Sequence, residues 1–248
     1  MSPKAINSTQ ASGVLDYLEK VRSVRSNLIE SNPGDSLTIF RGQPVDKPLW
    51  PKLGRPAYDA YNRSLIETAT LKEFRRLSYP YLRNEADNEW DALAIAQHHG
   101  LPTRLLDWTG NPLVALWFAL FDQPHEEFKP VVWCYSFSED KIVDSKTGYP
   151  FEQKSTLVFQ PRHISNRIAS QDGWFTSHYY KEATNTFTDM MRKKGANSHL
   201  LKVEIVFKHG SSATEMLKEL DAYGINSYYI FPGLDGLCKF IDWKSRLG

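Results

Sequence analysis

The sequence predicts an α+β protein built on one core. Helical stretches come first, strands with two-residue alternation follow, and no regular βαβ alternation links them. At 248 residues the chain is within reach of a single hydrophobic core. Its 41% hydrophobic and 24% charged residues are those of a folded chain and exclude a disordered one. N-terminal helices are expected on a mixed, mostly antiparallel sheet.

In chain order, Val14, Leu15, Leu18, Val21 and Leu28 recur at helical spacing, so residues 13–30 read as an amphipathic helix with Ser12 as its N-cap. Residues 37–43, LTIFRGQ, read as a strand with Leu37, Ile39 and Arg41 on one face. A proline-rich loop over 44–57 precedes helical pieces across 58–100, broken near Tyr79-Pro80. TRLLDW is a short strand. Asn111 and Pro112 open a helix, to about Phe121, that is apolar nearly all round and therefore buried. Strands follow at PVVWCYSF, STLVFQP, the end of RIASQDGWFT and LLKVEIVF. SATEMLKELDAYG is a helix, NSYYIF a last strand and LDGLCKFIDW a last short helix. Residues 1–10 and the loop near 140–152 are expected to be the most mobile parts.

Several function classes are disfavoured by bulk features. The net charge of +1 argues against binding nucleic acid through overall charge, and leaves a local basic groove open. Cys134 and Cys238 sit in apolar stretches and read as two buried free thiols. No spacing suggests a metal site. The N-terminus lacks an apolar signal core, and the longest apolar run, PLVALWFALF, is too short to span a bilayer. A cytoplasmic protein without membrane contact is expected.

Two features carry chemistry. Arg41 ends an apolar strand, so its guanidinium needs an anionic partner or a pocket. It reads either as a buried ion pair or as an anion clamp. The run QHHGLPTRLLDWTGNP concentrates Gln97, His98, His99, Thr103, Arg104, Asp107, Trp108, Thr109 and Asn111 between two core helices, and such groups need partners or a ligand. Adjacent histidines on a helix diverge by about 100°, so His98 and His99 cannot both face one site. In a strand Arg104 and Asp107 fall on opposite faces and need not pair. A packing knot that caps the next helix is the competing reading.

IFRGQ, AQHHGLPTRLLDWTGNPLVALWFAL, FQPRHISNRIASQDGWFTSH and YGINSYYIFPGLDGLCKFI together resemble the FRG domain family, named for its Phe-Arg-Gly signature. On that resemblance residues 36–248 form the FRG domain and residues 1–35 a helical extension. More distantly, the strand-borne arginine is similar to the first motif of ADP-ribosyltransferases of the Arg-Ser-Glu type, whose arginine holds the NAD phosphates. That likeness implies an ADP-ribosyltransferase-like fold with NAD as substrate and no metal. Arg41, Gly42, His99, Thr103, Arg104, Trp108 and Thr109 would bind it. LLDWTGNPLVALWFAL has the outline of the second motif, with two of its three hydroxyls missing. SQDGWFT has the outline of the third, with glycine where the catalytic glutamate would stand. Asp107 is then the best-placed carboxylate, with Gln171, Asp172 and Asp235 as further candidates, and Trp108, Trp174 or Phe231 could stack a ring.

Two expectations follow. One is an NAD-using transferase acting as a toxin or phage-defence effector on a nucleic-acid or protein acceptor, with an antitoxin as a further partner. The other is a non-enzymatic FRG module that binds a nucleotide or nucleic acid through Arg41 and Arg104.

Overall fold

The computed structural model describes residues 6–58, 62–82, 88–121, 128–146, 148–161, 170–192, 195–208 and 212–247. They form a seven-stranded mixed sheet in the order β1-β9-β4-β2-β3-β6-β5. The strands are β1 (Ser8–Ala11), β2 (Leu37–Gln43), β3 (Leu105–Thr109), β4 (Val131–Phe137), β5 (Leu157–Phe159), β6 (Gly173–Ser177) and β9 (Leu200–Ile205). β1 runs parallel to β9, and every other pairing in the sheet is antiparallel. A small hairpin of β7 (Tyr180–Lys181) and β8 (Thr186–Phe187) stands apart. The helices are α1 (Val14–Ser31), α2 (Arg63–Leu82), α3 (Glu89–His98), α4 (Pro112–Phe121), α5 (Ala196–His199), α6 (Ala213–Ala222), α7 (Ser227–Ile230) and α8 (Leu234–Ser245). No helix among them is long and apolar enough to cross a membrane.

Cross-strand register fixes two faces. Phe40, Val132, Cys134, Val203 and Ile205 point to one side, where they share a core with α1, α4 and α6. On the same side, further along the sheet, Leu105, Phe159 and Phe175 pack under α3. The opposite face holds Ile39, Leu106, Trp108, Trp133, Val158 and Trp174. One helical layer is therefore shared by two helix groups, α4 with its neighbours and α3 with α2, and they part above the junction of β2 and β3.

Several expectations need correction. Residues 8–10, expected to be mobile, belong to β1, which joins the sheet edge and pairs the ladder that β9 would otherwise leave open. Residues 1–5 lie outside the described residues. In α1 the buried stripe is Val14, Tyr17, Val21, Val24 and Leu28, whereas Leu15 is exposed. Gly13, with φ of 96°, occupies the N-cap position, and the Asp16 carboxylate accepts the Ser12 N–H. Pro80 does not end α2: it lies inside the helix, which is described to Leu82, and removes one intrahelical hydrogen bond there.

The loop over 140–152 is tied down at several points. Trp90 donates its indole N–H to the Gly148 carbonyl at 2.8 Å, and Val143 and Phe151 pack against the α3 core. NSYYIF is not a strand. Asn226 accepts the Tyr229 N–H and starts α7, burying Ser227 and Ile230 three residues apart. Cys134 is buried and its thiol is pushed up to about 12 by desolvation, but Cys238 is exposed on α8.

Helix α4 is the hub of the fold. Asn111 accepts the Leu113 N–H at 2.9 Å, Pro112 follows, and Val114 to Trp117, Ala119 and Leu120 are buried. Asp122 lies outside the described residues. The helix can approach β2 because Gly42 faces it: a Cβ there would sit 1.8 Å from the Ala115 carbonyl oxygen. Leu116 is fully buried, so Leu116→Ala should cost about 2–5 kcal/mol in denaturant unfolding. A loss below about 1 kcal/mol would show that this face of α4 is not part of the core.

Candidate functional site: a cleft where the sheet parts

Strands β2 and β3 are neighbours through a single register pair, Phe40 with Thr109. Beyond it they diverge, and the Asp107 carbonyl has no ladder partner in β2. The Arg41 side chain takes that place: its Nη1 donates to the Asp107 carbonyl oxygen at 2.7 Å. A cleft of about 470 Å³ opens over this split, a size suited to a small ligand. Gln97 and His98 at the end of α3 form one wall, Phe118 of α4 forms another, and Trp174 and Phe175 line it from β6.

Arg41 is mostly buried, with its side chain 16% exposed. Among the described residues its Nε, shielded from solvent, has no hydrogen-bond partner. Burial lowers the guanidinium pKa; Asp107 partly offsets this, and the neighbouring Arg55 adds to it. The group stays charged at neutral pH, since arginine does not deprotonate in proteins. Its nearest carboxylate is only a loose partner, with 3.9 Å separating Nη1 from Asp107 Oδ2. The cleft therefore holds a cation whose negative charge is incompletely supplied.

Among the described residues Asp107 is the one acid lining this cleft, and its side chain is 59% exposed. It is aimed by a short relay. Leu105 N–H donates to Thr103 Oγ1 at 3.1 Å, and that hydroxyl donates to Gln97 Oε1 at 2.7 Å. The orientation leaves the Gln97 amide nitrogen to donate to Asp107 Oδ2 at 3.1 Å. Thr103 is thus a buried support and not a ligand group.

The remaining expected residues divide. Gly42, Trp108 and Thr109 line the cleft. Thr109 is occupied structurally, donating to the Gln171 carbonyl and accepting the Asn111 N–H at 3.0 Å. Gln171 also lines the cleft, but its amide donates to the Ile230 carbonyl at 3.0 Å. Asp172 adopts a left-handed backbone, φ 44°, and its carbonyl accepts the Gly110 N–H at 2.9 Å.

Arg104 is a correction. It is 1% exposed and wholly engaged, its Nε donating to Glu67 Oε2 at 2.8 Å, Nη1 to the Pro150 carbonyl and Nη2 to Ser64 Oγ. It is a structural ion pair and not part of a knot that caps the next helix, with Glu67 of α2 as the partner that short-range spacing could not reveal. Burial raises the Glu67 pKa against the pull of Arg104. His99 caps α3 and is exposed, and its neighbour His98 lines the cleft instead. Asp235 sits exposed in the first turn of α8 and does not line the cleft. Phe231 reaches Phe118 edge-on and braces the wall from behind.

A buried polar chain beneath the cleft escaped the sequence reading. His178 Nδ1 lies 2.9 Å from the Thr188 carbonyl, which can only accept, so Nδ1 carries the proton. Nε2 then accepts from Thr176 Oγ1 at 3.1 Å, and that hydroxyl accepts the Trp108 indole N–H at 2.9 Å. Each donor has one acceptor, which locks Trp108 behind Arg41. Desolvation holds the fully buried imidazole neutral, with its pKa down at about 4. The signal available in the sequence was the alternation of Trp174, Thr176 and His178, three side chains on one strand face.

Residues 36–127 match the family model of the FRG domain. The match takes in Arg41 and Gly42 and runs through the α3–β3–α4 wall, and it stops short of β6. No curated protein and no solved structure shows a significant similarity to the chain.

The His178 chain predicts a pH dependence. An unfolded histidine titrates near 6.5 and the folded one near 4, so the unfolded chain binds more protons between those values. His178 thus supports stability fully above about pH 6.5, and the support fades as pH falls toward 4, by about 3 kcal/mol at the limit. His178→Asn should lower stability at pH 7 and flatten the decline between pH 7 and 4.5, read from urea melts at each pH. Parallel curves for the two proteins would show that His178 does not titrate in this way.

Proposed function

We propose that the cleft binds a nucleotide through its phosphates and that, with NAD bound, it supports ADP-ribosyl transfer of the kind a toxin or phage-defence effector performs. The carrying observation is the Arg41 guanidinium, held in the cleft at a break in the sheet with an unpartnered buried Nε and a carboxylate only at 3.9 Å. A phosphate bridging that fork would satisfy the charge that Asp107 satisfies poorly. Trp174, Phe175 and Phe118 offer ring faces to a planar base or nicotinamide.

Breaking the nicotinamide–ribose bond builds positive charge on the ribose. A fixed carboxylate lowers that barrier, and the Gln97–Thr103 relay gives Asp107 a fixed direction. The acceptor hydroxyl, amine or base enters from the open side of the cleft.

A second reading, a nucleotide-binding module without catalysis, is favoured by one observation. Gly173 stands where a glutamate would be expected, and the neighbouring Gln171 amide is committed to the Ile230 carbonyl.

The two readings separate on NAD. Arg41→Ala should weaken NAD binding about 10- to 100-fold, the worth of hydrogen bonds to a charged group. Arg41→Lys should recover only part of this. Asp107→Asn keeps shape and removes charge, so in the enzyme it lowers turnover while NAD affinity and melting temperature stay nearly intact. NAD binding without turnover, with protein or nucleic-acid acceptors supplied, would establish the module reading. Absence of binding to NAD and to free nucleotides alike would overturn both.

A further inference from the structure

A second cleft, of about 520 Å³, opens against the segment Lys52–Tyr58. Gly54 and Pro56 form its near wall, and Trp50, Phe187 and Thr186 line it further. Among the described residues its charged lining is Arg63, Lys181 and Arg192 against a single acid, Asp189. Asp189 is partly spent, since Oδ1 accepts the Met191 N–H at 2.9 Å and Oδ2 lies 3.5 Å from Arg192 Nε. Lys181 and Arg192 are exposed, and Arg63 lies buried in the wall behind them.

The segment beside the second cleft is itself cationic, with Lys52 and Arg55. Lys52 donates its ammonium to the carbonyl of Gly100, which lines the first cleft. Arg55 is exposed, and its charge reaches Arg41 strongly enough to lower that group's pKa. Exposed cations therefore gather at the second cleft and on the segment beside it, in a chain whose net charge is only +1. Such a local excess of positive charge, in an otherwise balanced protein, fits a ligand carrying several phosphates in a row.

The walls decide the form of that ligand. A duplex keeps its bases stacked inside and would meet only the cationic rim. Trp50, half-buried at the second cleft, presents a ring to a recess deep enough to admit an unstacked base. We propose that the second cleft and the Lys52–Arg55 wall bind single-stranded nucleic acid, with phosphates on Lys181, Arg192 and Arg55 and a base against Trp50. Its role as acceptor for transfer in the first cleft rests on the reading of that cleft given above. The binding itself does not.

The test is fluorescence polarisation with a labelled 15-nucleotide single strand, as oligo(U) and as oligo(dT), at 50–300 mM salt, with a duplex of equal length beside it. Lys181→Glu combined with Arg192→Glu should weaken binding at least tenfold at low salt. The salt slope should fall by about 1.4, the loss of two phosphate contacts on a single strand. Arg22→Glu with Arg25→Glu, on exposed positions of α1, should change little. Trp50→Ala should weaken binding about fivefold or more, through lost stacking. The proposal fails if no single strand binds at 50 mM salt, if the α1 pair matters as much as the cleft pair, or if the duplex binds as tightly as the single strand. Arg41→Ala, assayed for NAD and for the oligonucleotide, keeps the two sites apart. Lost NAD binding with retained oligonucleotide binding supports two sites, and oligonucleotide binding without any NAD binding sinks only the transferase reading.

Discussion

Where β2 and β3 part, a side chain replaces a ladder hydrogen bond. The Arg41 guanidinium reaches across the gap to the Asp107 carbonyl, and that contact allows the sheet to be continuous in order and yet open in the middle. An unpaired carbonyl at this depth would be costly, and a fully zipped ladder would close the cleft. The three residues of the Phe-Arg-Gly signature divide the labour. Phe40 anchors the helical core, Arg41 bridges the gap, and Gly42 admits the α4 backbone to within contact of the strand. A larger residue at Gly42 would push α4 away and take the Phe118 wall with it.

The supports behind Arg41 are polar and fully paired, and this gives the site its rigidity. On one side Thr103 and Gln97 direct Asp107, and on the other Thr176 and His178 hold Trp108. Arg104 and Glu67 lock α2 to the start of β3 further out. Ion pairs of this depth contribute little net stability, but losing one partner strands the other charge in the core. The exposed side of Asp107 and the buried, unpartnered Nε of Arg41 both belong to the cleft.

Much of this was legible in the sequence, for reasons that differ by element. LTIFRGQ alternates and ends in an arginine, so both the strand and the oddity of Arg41 were visible. Asn111-Pro112 announced α4, and the apolar run after it announced burial. The density of polar groups from Gln97 to Thr109 pointed to a segment that lines the cleft. The sequence could not say which of those groups faced the ligand, because that depends on partners far along the chain. Arg104 looked like a ligand group until Glu67, 37 positions earlier, was seen to neutralise it. NSYYIF is rich in the aromatic and β-branched residues that favour a strand, yet Asn226 caps it into a helix. β1 has almost no apolar content, and only its place beside β9 makes it a strand. The second cleft draws on residues from Trp50 to Arg192 and left no local pattern at all.

The proposed function requires Arg41 to serve the ladder gap in the free protein and a phosphate in the bound one. A crystal structure with ADP-ribose present at millimolar concentration tests this directly. The expected result is a phosphate within hydrogen-bond distance of the Arg41 guanidinium, in the cleft bounded by Gln97, Phe118 and Trp174. A ligand seated elsewhere, or a phosphate that leaves Arg41 untouched on the Asp107 carbonyl, would contradict it.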